Sequence, residues 1–179
     1  MTSATGHPFS AARLAGTGDP RDYSRALGRF ATGVAVVTVA DGEEVRAATV
    51  NGFLSVSMDP PLVLVSVGER SGLHDAVRAT GRYGVSVLAD EHRAVAWHFA
   101  GEPNPDARPS FSWLDGLPLL EGALARVCAR VVDANPAGDH TLYLGLVEHL
   151  DWRDGRPLLF FTGASGAVDV GLGEASFLV

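Results

Sequence analysis

Thr49-Val-Asn-Gly-Phe-Leu-Ser-Val-Ser-Met-Asp-Pro-Pro-Leu-Val-Leu-Val-Ser66 falls into two halves around a rigid corner. Thr49 to Ser57 is a run of small and hydroxylated residues broken by Phe53, Leu54 and Val56. Met58-Asp59-Pro60-Pro61 makes the corner, because proline fixes φ and restricts the residue before it. Leu62 to Val67 then reads as a strand, apolar without alternation, which suits cover on both faces. A polar, backbone-rich loop held between hydrophobic strands is a place to seat a flat polar ligand.

The pattern of strands extends outward on both sides. Before the stretch, Val34 to Val39 is a β-branched run, Asp41-Gly42 is a turn, and Val45 to Val50 returns as a partner strand, so a hairpin is expected. Upstream, Asp19 as N-cap and Pro20 at the first position start a short helix. Its apolar stripe is Tyr23, Leu27 and Phe30, and Thr32-Gly33 ends it. Met1 to Gly18 has no apolar h-region and is expected to be a flexible arm, with residues 19–179 forming a single domain. After the stretch, Ser71 and Gly81 bracket a helix over Gly72–Thr80. Tyr83–Leu88 is a strand, and Asp90 caps a helix over Glu91–Phe99. Gly101 to Ser112 is a proline-rich loop. Leu124–Val132 and Thr141–Leu150 are long strands around an Asn135–Asp139 turn, and Leu158–Phe161 follows the Asp154-Gly155 turn. Gly163 to Val179 supports no assignment. Many strands, short turns and few helices predict a mainly β fold, a closed antiparallel barrel with short helices.

The bulk numbers narrow the function. The 179 residues suffice for one domain with a real core. The formal net charge of -7 argues against a nucleic-acid partner, which needs basic patches. No apolar run approaches the roughly 18–20 residues that span a bilayer, so no membrane partner is expected. The single Cys128 rules out an intrachain disulfide framework and reads as an inert core thiol. A cytoplasmic location is the default.

The local motifs are weak one by one. There is no dinucleotide glycine fingerprint, no P-loop and no GxSxG elbow. His92 and His98 are spaced six apart and do not share a helix face, so no metal site is expected. Trp97, Phe99, Trp113 and Trp152 read as packing residues. Ser71 at a helix start can hold a phosphate or act only as a cap. In Gly138-Asp139-His140, Gly-Asp makes a turn and puts His140 at the first residue of a strand, at a barrel rim.

Taken together, Phe30-Ala-Thr-Gly-Val-Ala-Val-Val-Thr38, Thr49 with Ser55-Val-Ser-Met-Asp-Pro-Pro-Leu62, Arg82-Tyr-Gly-Val-Ser-Val-Leu88 and Gly138-Asp-His140 resemble the short-chain flavin reductases. These are the reductase components of two-component flavin-dependent monooxygenases. The resemblance is ordered and runs from about Tyr23 to Phe161. It implies a split β-barrel of the FMN-binding, Greek-key antiparallel type, and a homodimer with sites near the subunit interface. It implies that NADH or NADPH reduces FMN or FAD, and that the reduced flavin passes to a partner monooxygenase. By position, Thr49, Val50 and Asn51 meet the isoalloxazine edge, with Ser55 nearby. Ser66 and Ser71 lie by the ribityl phosphate, Arg46 and Phe99 line the same pocket, and His140 matches the histidine beside the nicotinamide.

That reading explains why no acid–base constellation stands out. Hydride passes directly between two bound rings, so the protein's tasks are stacking and charge stabilisation. The chain departs from the pattern at Ala47, where the family usually has Gly, and at Gly52, where it often has Ser. After Gly163 it lacks the usual aromatic and Arg. A second reading therefore keeps the fold and changes the reaction: the chain binds flavin tightly as a prosthetic group, or binds another flat ligand, and acts as an oxidase or tailoring enzyme. A third is a non-catalytic barrel whose dimer surface is the product.

Overall fold

The computed structural model describes residues 19–102 and 104–167. The expected arm, residues 1–18, and the tail beyond residue 167 lie outside the described residues, as does residue 103.

Helix α1 (Pro20–Leu27) starts as expected, with the Asp19 carboxylate accepting the Arg21 amide at 2.9 Å. It ends at Gly28, earlier than Thr32-Gly33, and Phe30 lies beyond it. Its apolar stripe does not enter the core: Tyr23, Leu27 and Phe30 are 55%, 53% and 74% exposed. Strand β1 (Thr32–Gly33) leads into the hairpin of β2 (Ala35–Asp41) and β3 (Glu44–Val50). Alternation along Val34–Val39 sends Val34 and Val36 to one apolar cluster and Ala35, Val37 and Val39 to another. A strand between two cores needs apolar side chains on both faces, and the one polar residue of this run, Thr38, is buried with its hydroxyl donating to the Pro118 carbonyl.

The polar half of the opening stretch is a strand rather than a loop. Only Asn51 and Gly52 separate β3 from β4 (Phe53–Met58), which turns at Asp59-Pro60 into β5 (Pro61–Gly68). The Asp59-Pro60 peptide is cis. Ladder pairing with β5 overrides the weak strand propensity of Ser55 and Ser57. Cover on both faces of β5 is also corrected. Val63, Val65 and Val67 are buried, whereas Leu62, Leu64 and Ser66 on the opposite face are only half-buried in the single chain.

Helix α2 (Gly72–Thr80) is capped by Ser71 and by Gly81 in the left-handed region, and it buries Leu73, His74, Ala76 and Val77. Strand β6 (Arg82–Val87) follows. A 3₁₀ turn at Asp90–His92 then leads into α3 (Arg93–Phe99). A hairpin of β7 (Phe111–Leu114) and β8 (Leu117–Leu120) takes Phe111 and Ser112 from the end of the expected loop and otherwise fills a segment to which the sequence pattern assigns no element. The long hairpin of β9 (Ala125–Ala137) and β10 (His140–Trp152) turns in two residues, Gly138 and Asp139, with Ala137 opposite His140. Gly138 supplies the positive φ of 70° that this tight turn needs. Strand β11 (Leu158–Phe161) pairs with β1 on one side and with β12 (Ala164–Ala167) on the other.

The main sheet runs β3-β2-β6-β9-β10-β5-β4, all antiparallel. Its two edge strands, β3 and β4, are consecutive in the chain. A two-residue link spans only about 7–10 Å, so the sheet must curl until its edges meet at Asn51-Gly52. The Ser66 amide donates to the Gly52 carbonyl at 3.0 Å, which carries the β4–β5 pairing one residue into the link. The ladder does not close, which corrects the expected closed barrel to an open, split one. Inside the curl, Val37, Val39, Val65, Val67, Tyr83, Val85 and Tyr143 pack with Leu73 and Val77 of α2. Among the described residues no helix is long and apolar enough to cross a membrane.

Candidate functional site

The place where the sheet edges meet is also where the candidate residues converge. Val50, Asn51, Gly52, Ser66, Gly68, Ser71 and His140 line one cavity of about 230 Å³. It adjoins a groove of about 770 Å³ that shares Asn51, Ser66 and His140 and is walled by Tyr23, Leu27, Phe30, Thr32, Leu142 and Phe160. A third cavity, about 220 Å³ and largely apolar, lies between β3 and α3 and is lined by Thr49, Val50, Asn51, Ala96, Trp97 and Phe160. Asn51 lines all three. The link that curls the barrel thus also stands at the junction of the site.

Strand register sets the polar groups. His140 pairs with Gly68, and Leu142 with Ser66, so His140 and Ser66 lie on the same face of the β5/β10 pair, away from the core. The imidazole lies over Gly68, where an added Cβ would stand 3.8 Å from His140 Nε2. His140 Nδ1 and Asp139 Oδ1 are 2.8 Å apart. This bond lowers the Asp139 carboxyl below its usual range, helped by a backbone amide. With Nδ1 engaged, Nε2 is the nitrogen left for a ligand. At the other end, Ser71 Oγ accepts the Leu73 amide at 3.2 Å, which leaves its proton free to donate. Ser71 caps the N-terminal end of α2, an end that favours an anion.

The remaining sequence-derived candidates are placed elsewhere. Arg46 stands at the far end of β3, 3.2 Å from Asp41 and 3.0 Å from Glu44, and lines none of these cavities. Ser55 lies on β4 opposite Val63, and it too is outside the cavity walls. Phe99 packs against the cluster under α3, with its ring 6.2 Å from that of Phe111. Thr49 reaches the third cavity, but its hydroxyl donates to the Ala96 carbonyl at 2.7 Å and ties β3 to α3. Of the three residues Thr49, Val50 and Asn51, alternation turns Thr49 toward α3 and Val50 toward the barrel core.

Several wall residues escaped sequence reasoning. Thr32 contributes to the groove, and its buried hydroxyl has no hydrogen-bond partner among the described residues. Trp97, expected in the core, is 37% exposed and lines the third cavity. Trp113 and Trp152, also expected to pack, are 56% and 76% exposed. Tyr23, Leu27 and Phe30 were visible as a stripe, but a helical period cannot say whether the stripe faces a core or a groove. Cys128 is buried, and desolvation pushes its thiol up to about 11, so it is inert as expected.

Small hydroxyl and amide groups, a helix N-terminus, an orphaned buried hydroxyl and apolar walls form a donor set suited to a flavin. The ring's polar edge, phosphate and hydrocarbon face each find a counterpart. Residues 27–169 match the flavin reductase like domain family. An NADH-dependent flavin reductase of Rhodococcus sp is 47% identical over 154 residues, covering 84% of this chain and 88% of the relative. The reductase component of 4-hydroxyphenylacetate 3-monooxygenase from Thermus thermophilus is 39% identical over 144 residues, covering 78% and 90%. The structure of the flavin reductase PheA2 superimposes with a TM-score of 0.81 at 37% identity, over 84% of this chain and 98% of that one. The chain belongs to the flavin reductase like domain family.

Proposed function

We infer that the protein is an NAD(P)H:flavin oxidoreductase that reduces FMN or FAD and supplies the reduced flavin to a partner monooxygenase. The observation that carries this reading is the convergence of Asn51, Gly52, Ser66, Ser71 and His140 on one cavity at the meeting point of the sheet edges. Similarity to NADH-dependent reductases and to a monooxygenase reductase component supports it.

A bound flavin would itself supply the hydride-accepting chemistry toward reduced nicotinamide, so the chain need supply no strong acid or base. The residues bind and orient. Ser71 at the N-terminal end of α2 holds the phosphate end, and the Asn51-Gly52 backbone meets the ring edge. His140, steadied by Asp139, offers Nε2 to the nicotinamide. Tyr23, Leu27, Phe30, Leu142 and Phe160 keep water from the rings. The groove is open and its cationic clamps are few, which suits a flavin that must leave.

We also propose a homodimer in the cytoplasm, with residues 19–179 as one domain after an N-terminal arm. The outer face of β4, β5 and β10 supports the dimer. In register across it stand Leu54, Leu64 and Leu144, flanked by Leu62 and Leu146. Leu54 is 59% exposed in the single chain, and a second copy covers this face.

The test mixes purified protein with NADH or NADPH and with FMN or FAD, and follows absorbance of the reduced nicotinamide. Oxidation above the enzyme-free rate is expected for at least one pairing. No oxidation with any pairing would sink the reading. Protein that stays yellow through dialysis would favour a tightly flavinylated enzyme.

A further inference from the structure

His74 is buried, at 9% exposure, and stands outside the cavity walls described above. It lies on α2, one turn after Ser71, and the His74 amide donates to the Ser71 carbonyl at 2.9 Å. Its Nε2 is 3.2 Å from the Thr141 hydroxyl, and Thr141 directly follows His140. Its carbonyl accepts the Tyr143 hydroxyl at 3.3 Å. We propose that His74 is a positioning residue for flavin reduction: it ties the start of α2, which presents Ser71 to the phosphate, to the start of β10, which presents His140 to the nicotinamide. This rests on the flavin reductase reading above.

The packing shows why such a tie is needed. Helix α2 rests mainly on β2, β3, β5 and β6, through Leu73, Ala76 and Val77. Apolar contact is non-directional and tolerates small slides and rotations of a helix on a sheet. A hydrogen bond with defined length and angle does not. Strand β10 meets α2 through the Tyr143 ring, which shares the apolar cluster of Leu73 and Val77, and its directional contacts with α2 are His74 to Thr141 and Tyr143 to the His74 carbonyl. Thr141 and Tyr143 are 6% and 1% exposed, and with His74 they form the inner wall of a separate cavity of about 270 Å³.

The choice of histidine is not explained by stability alone. Its Nδ1 is buried without a hydrogen-bond partner among the described residues, and the nearest carboxylate, that of Asp75, stands 3.5 Å away. A buried nitrogen left unpaired is destabilising, and a leucine of similar size would avoid that cost. The Thr141 hydroxyl serves Nε2 as donor or acceptor, so the tie survives in either tautomer of the ring. Ser71 and His140 are then spaced by one buried contact, at the two ends of a ligand that must lie across both.

The variants are Thr141→Val, which removes the hydroxyl at nearly constant shape, His74→Leu, their double, and His74→Gln, which keeps a hydrogen-bonding end. All are made in the full chain and checked for folding by thermal melting. Flavin affinity is measured by titration, and the KM for reduced nicotinamide by steady-state rates. The His140 ring is titrated by NMR as a readout independent of turnover. Flavin affinity should weaken about fivefold in each single variant, the size expected for one net hydrogen bond. The double variant should be no worse than the worse single, because both remove the same contact. The His140 titration midpoint should move in the same direction in both, and His74→Gln should restore part of each effect. Unchanged flavin affinity and an unmoved His140 midpoint, with only the melting temperature lowered, would show a purely structural role and overturn the proposal. Additive losses in the double variant would do the same. If the wild-type protein oxidises no reduced nicotinamide, the reductase reading falls, and the His140 titration still decides whether His74 positions that side chain.

Discussion

Adding one methyl group at Gly145 puts the interior of the barrel to a quantitative test. Gly145 lies on β10 between Val63 of β5 and Val131 of β9, at a register shift after Leu144. A Cβ there would stand 2.8 Å from Tyr83 Cζ and 2.9 Å from Ala129 Cβ, and nearer still to the Tyr83 hydroxyl. Tyr83 is fully buried, so its ring has no solvent side to swing toward. Its hydroxyl also donates to the Tyr143 carbonyl at 3.4 Å, a bond the methyl would displace. Overpacking of this kind costs about 1–3 kcal/mol, and a displaced buried hydroxyl adds about 1 kcal/mol. Gly145→Ala should therefore destabilise by about 3 kcal/mol, lowering the folded-to-unfolded ratio roughly 100-fold. For a chain of this size the melting temperature should fall by about 6–12 °C. Circular dichroism melts measure it. Tyr83→Phe in the Gly145→Ala background removes the nearest atom and should recover about 1 kcal/mol or more, read as a coupling in the double-mutant cycle. A Gly145→Ala protein melting within about 2 °C of wild type, or no coupling to Tyr83, would refute this account of the core.

Three other outcomes follow from the site and surface. His140→Ala should raise the KM for reduced nicotinamide about tenfold while flavin affinity changes less than about threefold; equal effects on both would place His140 elsewhere. Leu64→Glu puts a charge between Leu54 and Leu144 and should leave a monomer by light scattering, whereas an intact dimer would show that the interface lies on another face. The Arg126 guanidinium holds the Asp151 carboxyl below its usual range. A depressed carboxyl contributes stability above its unfolded value and loses it as pH falls through the folded one. Asp151→Asn should thus be less stable than wild type at pH 7, by no more than about 1 kcal/mol given the exposure of the pair. The gap should close as the solution is acidified past the carboxylate range, and a gap that widens in acid would reverse the assignment.

Much of the architecture is legible in local chemistry. Asp19-Pro20 and Ser71 are helix starts because a side-chain oxygen can accept an orphan amide, and both caps form. The β2–β3 hairpin follows from Asp41-Gly42 between apolar runs. The start of β10 at His140 follows from the Gly138-Asp139 turn. The β7–β8 hairpin was not legible, because Pro118 and the short apolar runs around it carry no clear period and the pair is held by tertiary contact. Thr38 donates to the Pro118 carbonyl, and the Ser86 hydroxyl accepts the Leu120 amide at 2.9 Å. Of the candidate site, Asn51, Ser66, Ser71 and His140 meet at one cavity, while Arg46, Ser55 and Phe99 stand apart from it. Position along a motif does not tell which face of a strand a residue occupies once bulges such as that between Ser55 and Ser57 intervene.

By itself the sequence determined the helices, the β2–β3 and β9–β10 hairpins, the order of the motifs and the family they belong to, because caps, turns and alternation act over a few residues. Only the tertiary structure decided that Thr49–Ser66 is a pair of strands joined at a corner, with the seat itself reduced to the two-residue link Asn51-Gly52. Closing the distance between the two sheet edges is a property of the whole ladder, and no window of sequence contains it. Gly52 stands at that closure. A Cβ there would stand 3.1 Å from Ser66 Cβ on β5, so the link lies tightly against the neighbouring strand.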